Sequence, residues 1–395
     1  MTMLRFHAEP IADVGIGIVG LGGRGKEALD RLPHVPGCHV SAVCDVNREL
    51  LSSRLADAPD TGQPLSAYTD YRALCEDPAV DLVYVCTDWR SHVEIAVYAM
   101  EHGKHVALEV PSAQTIDECW ALVRTSERTR RHCTILENCC YDRFELTALE
   151  MARQGVFGEL IHAEGAYMHN LEFRGWGTDN WRLRLNRSQR GDLYPTHGLG
   201  PICQALGIHR GDRLETLVSM DTAPFNGPRQ LKEQTGEEAA DFRCGDHTMT
   251  MIRTSRGKTI LLQHDVMTPR PYDRGYQLVG TDGFARKYPV PQICLRSADG
   301  SGEKVYEGAE LDALMAQYRA PFLTPEIEEM AGRIGGHDGM DFLMDYRIIY
   351  CLNNGLPLDM DVYDLAEWCC ITELSRLSLD AGSKPVEVPD FTRRA

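Results

Sequence analysis

The chain lacks any apolar run approaching the ~20 residues that a membrane-crossing helix needs, so no membrane span is expected. It lacks a basic start followed by a long apolar stretch, because residues 1–13 carry acids, and no export signal is expected there. It lacks a positive balance: 41 Lys plus Arg face 58 Asp plus Glu, a net charge of −17. That field repels nucleic acid and anionic membranes and favours a small neutral or locally steered ligand. None of the 14 Cys are spaced C-x-x-C and none of the 14 His H-x-x-x-H, so the usual metal and redox signatures are missing and no metal is expected. The adjacent pairs Cys139–Cys140 and Cys369–Cys370 read as buried, inert thiols in a reducing cytosol, which makes the expected location cytoplasmic.

What is present is a soluble globular mix, 43% hydrophobic and 25% charged, over 395 residues. That length suits two domains of ~150–200 residues. Apolar runs at 14–19, 40–44, 82–86, 105–108 and 134–136 alternate with helical stretches at 26–32, from 48, at 91–102 and at 116–130. Such alternation predicts βαβ units and a parallel sheet. Beyond Asn138 the rhythm changes. A helix at 143–153 precedes long strand-like runs at 160–169, 214–221, 247–254 and 258–266, and two helices close the chain at 339–353 and 363–378. The polar segment 226–238, punctuated by Gly and Pro, reads as a surface loop. The fold class predicted is α/β: a Rossmann domain over 1–138, then an α+β domain over 139–395 on a mostly antiparallel open sheet. Its last helices are free to pack back on the first domain. An open sheet of this kind often pairs with a second copy, so a homo-oligomer is allowed for.

Gly20-Leu-Gly22-Gly23-Arg24-Gly25 fits G-x-G-x-x-G after a strand and at the start of a helix. The first Gly permits the tight turn, the second lets backbone approach a pyrophosphate, and the third lets helix pack on strand. Asp45 ends the second strand 20 residues after Gly25. An acid there accepts from the ribose hydroxyls and repels a 2′-phosphate, which predicts NAD rather than NADP. Arg24 and Arg48 lie nearby and work against that preference. Thr87, Trp89 and His92 follow the third clear strand and Glu109 follows the fourth, so both loops fall at the carboxyl edge of the sheet. His92 reads equally well as a solvated first-turn residue.

Together with the run His102 to Val106 and the E-x-P at Glu109, these motifs resemble the Gfo/Idh/MocA oxidoreductases. Those relatives usually carry E-K-P, whereas this chain has Val110, which speaks against ordinary sugar dehydrogenation. In the second half, Asn138-Cys-Cys-Tyr141, Glu164-Gly-Ala-Tyr167-Met-His169 and Tyr194-Pro-Thr-His197-Gly-Leu-Gly-Pro201 resemble glycoside hydrolase family 109. So do His264-Asp265 followed by Arg270-Pro-Tyr272, His337-Asp-Gly-Met-Asp341-Phe, and the tail from Val386. Many members of that family begin with an export signal, and the usual H-D-L reads His169-Asn170-Leu171 here.

The resemblance implies an NAD-dependent glycosidase acting on terminal N-acetylgalactosamine through C3 oxidation, C2 deprotonation, 1,2-elimination, water addition and C3 reduction. The carboxylate-pair rule of ordinary glycosidases then does not apply. It implies Tyr167 as the C2 base, His197 as acceptor of the C3 hydroxyl proton, and His169, Tyr194 and Tyr272 as sugar contacts. Asn138 joins the cofactor residues. The residues suit these tasks: Tyr167 and His169 lie two apart on a strand and share a face, and an imidazole titrates near neutrality. A phenol, ordinarily titrating near ~10, serves as a base only with help from its neighbours. Trp176 and Trp181, in a polar loop, suit stacking on a sugar or packing as a lid. Two other readings compete, a net sugar or cyclitol dehydrogenase and a catalytically silent NAD-binding protein.

Overall fold

A computed structural model gives the architecture and describes residues 2–171, 180–297 and 300–393. Two compact units divide the chain: Met1–Asp142, Leu323–Cys369 and Phe391–Ala395 form one, Arg143–Phe322 and Cys370–Asp390 the other.

The first unit begins with β1 (Val14–Val19), α1 (Gly23–Arg31), β2 (Cys38–Cys44), α2 (Arg48–Ala56), β3 (Ser66–Tyr68) and α3 (Tyr71–Glu76). It continues through β4 (Leu82–Val85), α4 (His92–Glu101), β5 (His105–Leu108), α5 (Ile116–Thr129) and β6 (Cys133–Ile135). The strands form one parallel sheet in the order β3-β2-β1-β4-β5-β6. Every residue of β1, β4 and β5 is buried, as expected of strands covered on both faces. The order reverses between β1 and β4, and ligands of such sheets bind at the carboxyl ends of the strands flanking that reversal. The short edge strand β3 and helix α3 were not anticipated; a strand of three residues, none fully buried, carries no periodic signal.

The second unit holds α6 (Arg143–Arg153), β7 (Leu160–Met168), α7 (Trp181–Ser188), α8 (Thr196–Leu206), β8 (Leu214–Asp221), α9 (Asn226–Thr235), β9 (Thr248–Thr254) and β10 (Thr259–Asp265). A run of short strands follows, β11 (Gln277–Gly280), β12 (Gly283–Arg286), β13 (Gln292–Arg296) and β14 (Glu303–Tyr306), and then α10 (Gly308–Gln317). Next come α11 (Pro325–Ile334) and α12 (Met340–Asn354) of the first unit, α13 (Val362–Asp380), divided between the two units after Cys369, and β15 (Val386–Glu387) of the second. The nine-stranded sheet runs β14-β13-β12-β11-β7-β10-β9-β8-β15. Its β7–β10 pair is parallel and the others are antiparallel.

Two expectations are corrected. The segment read as a loop over 226–238 is mostly the helix α9. Its cap comes from Asp246, whose carboxylate accepts from the N–H groups of Phe225 and Asn226 at 3.2 and 3.0 Å. Leu231 and Gln230 are buried against the unit, so tertiary packing overrides weak local propensity. Trp181 opens α7 rather than lying in a loop, because Asn180 caps that helix by accepting from the N–H groups of Arg182 and Leu183. Trp176 lies outside the described residues. Among the described residues no helix is long and apolar enough to cross a membrane.

Candidate active site

The Gly-rich turn of the first unit has the form an anion-binding loop needs. Gly20 has φ +90°, and a Cβ there would lie 2.8 Å from the Cys86 carbonyl, so only glycine fits. A Cβ on Gly25 would meet the Gly20 oxygen at 1.8 Å, which fixes α1 against the turn. Gly22 and Gly23 instead face open space. Gly22 caps α1 with no side-chain hydrogen bond, and the first helical turn holds no acid. Its N–H groups and the positive helix end are thus left to an external anion.

Asp45 stands beside this turn. One oxygen accepts from the Leu21 N–H at 2.8 Å and the other from the Asn47 N–H at 2.8 Å, and Arg54 Nε donates to the Leu21 carbonyl at 3.1 Å. The backbone of the turn is thereby gripped from both sides. A dinucleotide fits the residues present: an open glycine cradle for its phosphates, and a fixed carboxylate where the adenosine ribose belongs.

The remaining cofactor candidates of the first unit form a connected shell. Arg24 donates through Nε to Glu109 at 2.8 Å and through Nη1 to Glu27 at 2.7 Å and Asp341 at 2.9 Å. Burial opposes its charge, but Glu109 and Asp341 more than compensate and hold its pKa above the ordinary arginine value. Asn138 Nδ2 donates to the other Asp341 oxygen at 2.7 Å. His92 is fully buried, so the solvated reading is corrected. Its ring nitrogens lie 3.2 Å from the Pro111 carbonyl and 3.0 Å from that of Thr87. Burial lowers its pKa to about 4 against those carbonyls; the neutral ring carries one N–H and bonds one of the two carbonyls at a time, while packing between the loop after β4 and the loop after β5. Trp89 Nε1 adds a bond to the Val110 carbonyl at 3.1 Å, and the Ser91 hydroxyl donates to Thr87 Oγ1 at 2.8 Å.

The second unit gathers all five acid–base and sugar-contact candidates into one cluster. On β7, Tyr167 and His169 share a face, and the phenol oxygen lies 2.9 Å from His169 Nδ1. The Tyr167 ring stacks on Tyr194 at 4.4 Å and meets His197 edge-on at 5.3 Å. His169 meets Tyr272 edge-on at 5.1 Å.

The backbone explains this convergence. α8 lies directly on β7, since a Cβ on Gly165 would be 2.1 Å from the Gly198 oxygen. His197, next to Gly198, is therefore delivered to Tyr167. Pro201 within α8 has no N–H to give the His197 carbonyl. The loop after β10 returns to β7 through paired backbone bonds between Met168 and Asp273, both at 3.0 Å, which sets Tyr272 beside His169. Tyr167 and Tyr194 are buried, and Tyr272 is 41% exposed, so the cluster grades from a closed floor to an open rim.

Three further residues complete the cluster, and the sequence assigned none of them a role. Arg182 sets its guanidinium 4.9 Å from the Tyr194 ring and 5.8 Å from that of Tyr167, an attraction between cation and ring face. Nothing in its polar surroundings marks it out. His264 pairs with Tyr167 across β10 and β7, with ring centres 6.3 Å apart. Burial, with Arg182 second, pushes its pKa down to about 3, so it is neutral. Asp192 is buried and accepts from the Tyr194 N–H at 3.0 Å. Burial drives its pKa up to about 7, against the Tyr194 bond and the His247 charge.

A glycine cradle at the switch point of a parallel sheet, with a separate open-sheet unit bearing a phenol–imidazole pair, defines a nicotinamide-dinucleotide enzyme of the oxidoreductase type. The comparisons agree. Residues 14–136 match the oxidoreductase family with an NAD-binding Rossmann fold, and residues 141–395 match the C-terminal domain of glycosyl hydrolase 109. A glycosyl hydrolase family 109 protein of Porphyromonas gingivalis is 54% identical over 99% of this chain and 87% of its own. Glycosyl hydrolase family 109 protein 5 of Phocaeicola vulgatus is 49% identical over 99% and 80%. The chain belongs to glycosyl hydrolase family 109: it is a glycosidase-type enzyme, and NAD is its cofactor. Solved structures share the fold. An NAD-binding oxidoreductase from Klebsiella pneumoniae superposes with a TM-score of 0.75 at 17% identity, covering 96% of this chain and all of that one. Levoglucosan dehydrogenase, in complex with NADH and levoglucosan, gives 0.72 at 18% identity with the same coverage.

Proposed function

We propose that the protein removes terminal N-acetylgalactosamine from glycosides by oxidation at C3, deprotonation at C2, 1,2-elimination, water addition and reduction at C3. The observation that carries this reading is the contact of the Tyr167 hydroxyl with His169 Nδ1 at 2.9 Å, with His197 against the same ring. NAD, bound on the Gly-rich turn, supplies reversible oxidation at C3.

The chain's own residues then move protons. His197 takes the C3 hydroxyl proton, and Tyr167 takes the C2 proton that the C3 ketone acidifies. Loss of the C1 substituent leaves an enone. Water adds its hydroxyl at C1 and its remaining proton goes to the departed aglycone oxygen, C2 recovers a proton from Tyr167, and the C3 oxygen recovers one from His197. His169 orients the phenol, while Tyr194 and Tyr272 bind the sugar with Arg182 behind the tyrosine rings. Val110 favours this cycle over net dehydrogenation, because the position is apolar and buried and offers no cation.

The test is cleavage of aryl α- and β-N-acetylgalactosaminides in deuterated water. Deuterium is expected at C2 of the released sugar, without NADH accumulating in proportion to product. Product that keeps its C2 hydrogen overturns the elimination route, and stoichiometric NADH without aglycone release favours a dehydrogenase.

We also propose that a second copy covers the open face of the nine-stranded sheet. There Met220 pairs with Met249, and Val218 with Met251. The three methionines are 60%, 43% and 47% exposed, with Met220 first and Met251 last. Light scattering is expected to give a mass above that of one chain, falling to one chain in Met249→Asp/Met251→Asp.

A further inference from the structure

The segment from His337 to Asp341 belongs neither to the glycine cradle nor to the aromatic cluster, yet its backbone is unusual. Five consecutive residues, 335 to 339, have positive φ, including His337 at 47° and Asp338 at 57°. Side-chain-bearing residues rarely occupy that region, and such conformations concentrate at functional sites. The turn closes when the Gly336 carbonyl accepts from the Gly339 and Asp341 N–H groups at 3.0 and 3.2 Å. It folds His337 back onto Asp341.

Asp341 is fully buried, and its carboxylate is surrounded by donors. Oδ2 accepts from His337 Nδ1 at 2.9 Å and Arg24 Nη1 at 2.9 Å. Oδ1 accepts from Arg24 Nη2 at 3.3 Å and Asn138 Nδ2 at 2.7 Å. A carboxylate can only accept, so His337 Nδ1 carries a hydrogen. The opposite nitrogen, Nε2, has no partner among the described residues, and the side chain is 54% exposed. The imidazole Nδ1 lies 3.5 Å from Nη1 of Arg24, a residue of the first turn of α1, whose N–H groups have no side-chain cap. The edge bearing Nε2 is half-exposed, and it becomes a donor when the ring is protonated.

We propose that His337 is a diphosphate-binding residue of the dinucleotide site, donating through Nε2, and that Asp341 is the positioning residue that aims it. The inference rests on NAD occupying the Gly-rich turn. Charge supports it. The hydrogen bond to Asp341 raises the His337 pKa, burial opposes, the Asp341 and Glu27 charges raise it further, and Arg24 lowers it, for a net increase. Only the protonated ring donates from both nitrogens, so dinucleotide affinity should fall as pH rises through that pKa.

The test is titration of the NAD-stripped full-length protein with NAD, ADP and adenosine across pH 6 to 9. His337→Gln is expected to bind NAD and ADP about tenfold more weakly at the acid end, the effect of one charge-assisted hydrogen bond, with adenosine unchanged. His337→Lys should retain affinity and lose the pH dependence. Asp341→Asn should move the pH midpoint down, and Asp341→Glu should restore it. The inference is overturned if His337→Gln binds NAD and ADP as tightly as the unaltered chain throughout, or if adenosine weakens equally. An unaltered chain that binds none of the three overturns the cofactor assignment itself, a distinguishable result.

Discussion

A Cβ placed on Gly198 would lie 2.4 Å from the backbone nitrogen of Ala166. The two residues hold α8 against β7 at a separation only glycine permits, and His197 and Tyr167 meet because of it. Gly198→Ala should therefore push α8 away from the sheet. The expected cost is about 1–3 kcal/mol of stability from overpacking, with a loss of turnover larger than that destabilisation explains. Chemical denaturation and kcat on an aryl glycoside, measured below the unfolding transition, check both parts.

Tyr167→Phe removes the hydroxyl 2.9 Å from His169 Nδ1 while keeping the ring that stacks on Tyr194. Turnover should fall ~10²–10⁴-fold, the range for one acid–base group. NAD affinity should hold, since the residue belongs to the second unit. Unchanged turnover would make this tyrosine structural.

Asp45→Ala removes the carboxylate that holds the Leu21 N–H. NAD should bind less well and the preference over NADP should narrow, because both the ribose contact and the repulsion of a 2′-phosphate are lost. Calorimetric affinities for the two cofactors measure the effect. Equal affinity for both in the unaltered protein would remove the role given to Asp45.

Asp192 links stability to pH. Its folded pKa of about 7 lies above the ~3.9 of an unfolded aspartate. The native state therefore holds the proton more tightly, and stability declines as pH rises from about 4 to 7. Asp192→Asn keeps an acceptor for the Tyr194 N–H and removes the titration. Urea midpoints between pH 4 and 8 should slope downward for the unaltered chain more steeply than for the variant, by on the order of 4 kcal/mol of stability across the window. Parallel profiles would place the proton elsewhere.

Much of the fold was legible because its signals are local. The alternation of strand and helix, the buried runs of β1, β4 and β5, and the spacing of Gly20, Gly22 and Gly25 each depend on a few neighbouring residues. The same holds for Tyr167 and His169, whose shared face follows from the two-residue period of a strand. Less legible was α9, whose capping carboxylate, Asp246, lies 20 residues beyond Asn226. The short strands β11 to β14 were also missed, since runs of four or five residues carry little periodicity.

The sequence by itself determined that a glycine turn followed by an acid-marked second strand binds a dinucleotide, and that Tyr167 and His169 share a face of one strand. Only the tertiary structure decided their partners. It spent Arg24 on Glu109 and on Asp341, 317 residues away, buried His92 between two carbonyls, brought Arg182 over the tyrosine rings, and gave Asp192 a neutral-range pKa. Backbone propensity and face are set by adjacent residues, whereas ion pairing, desolvation and ring contact depend on distance in space, which sequence separation does not encode.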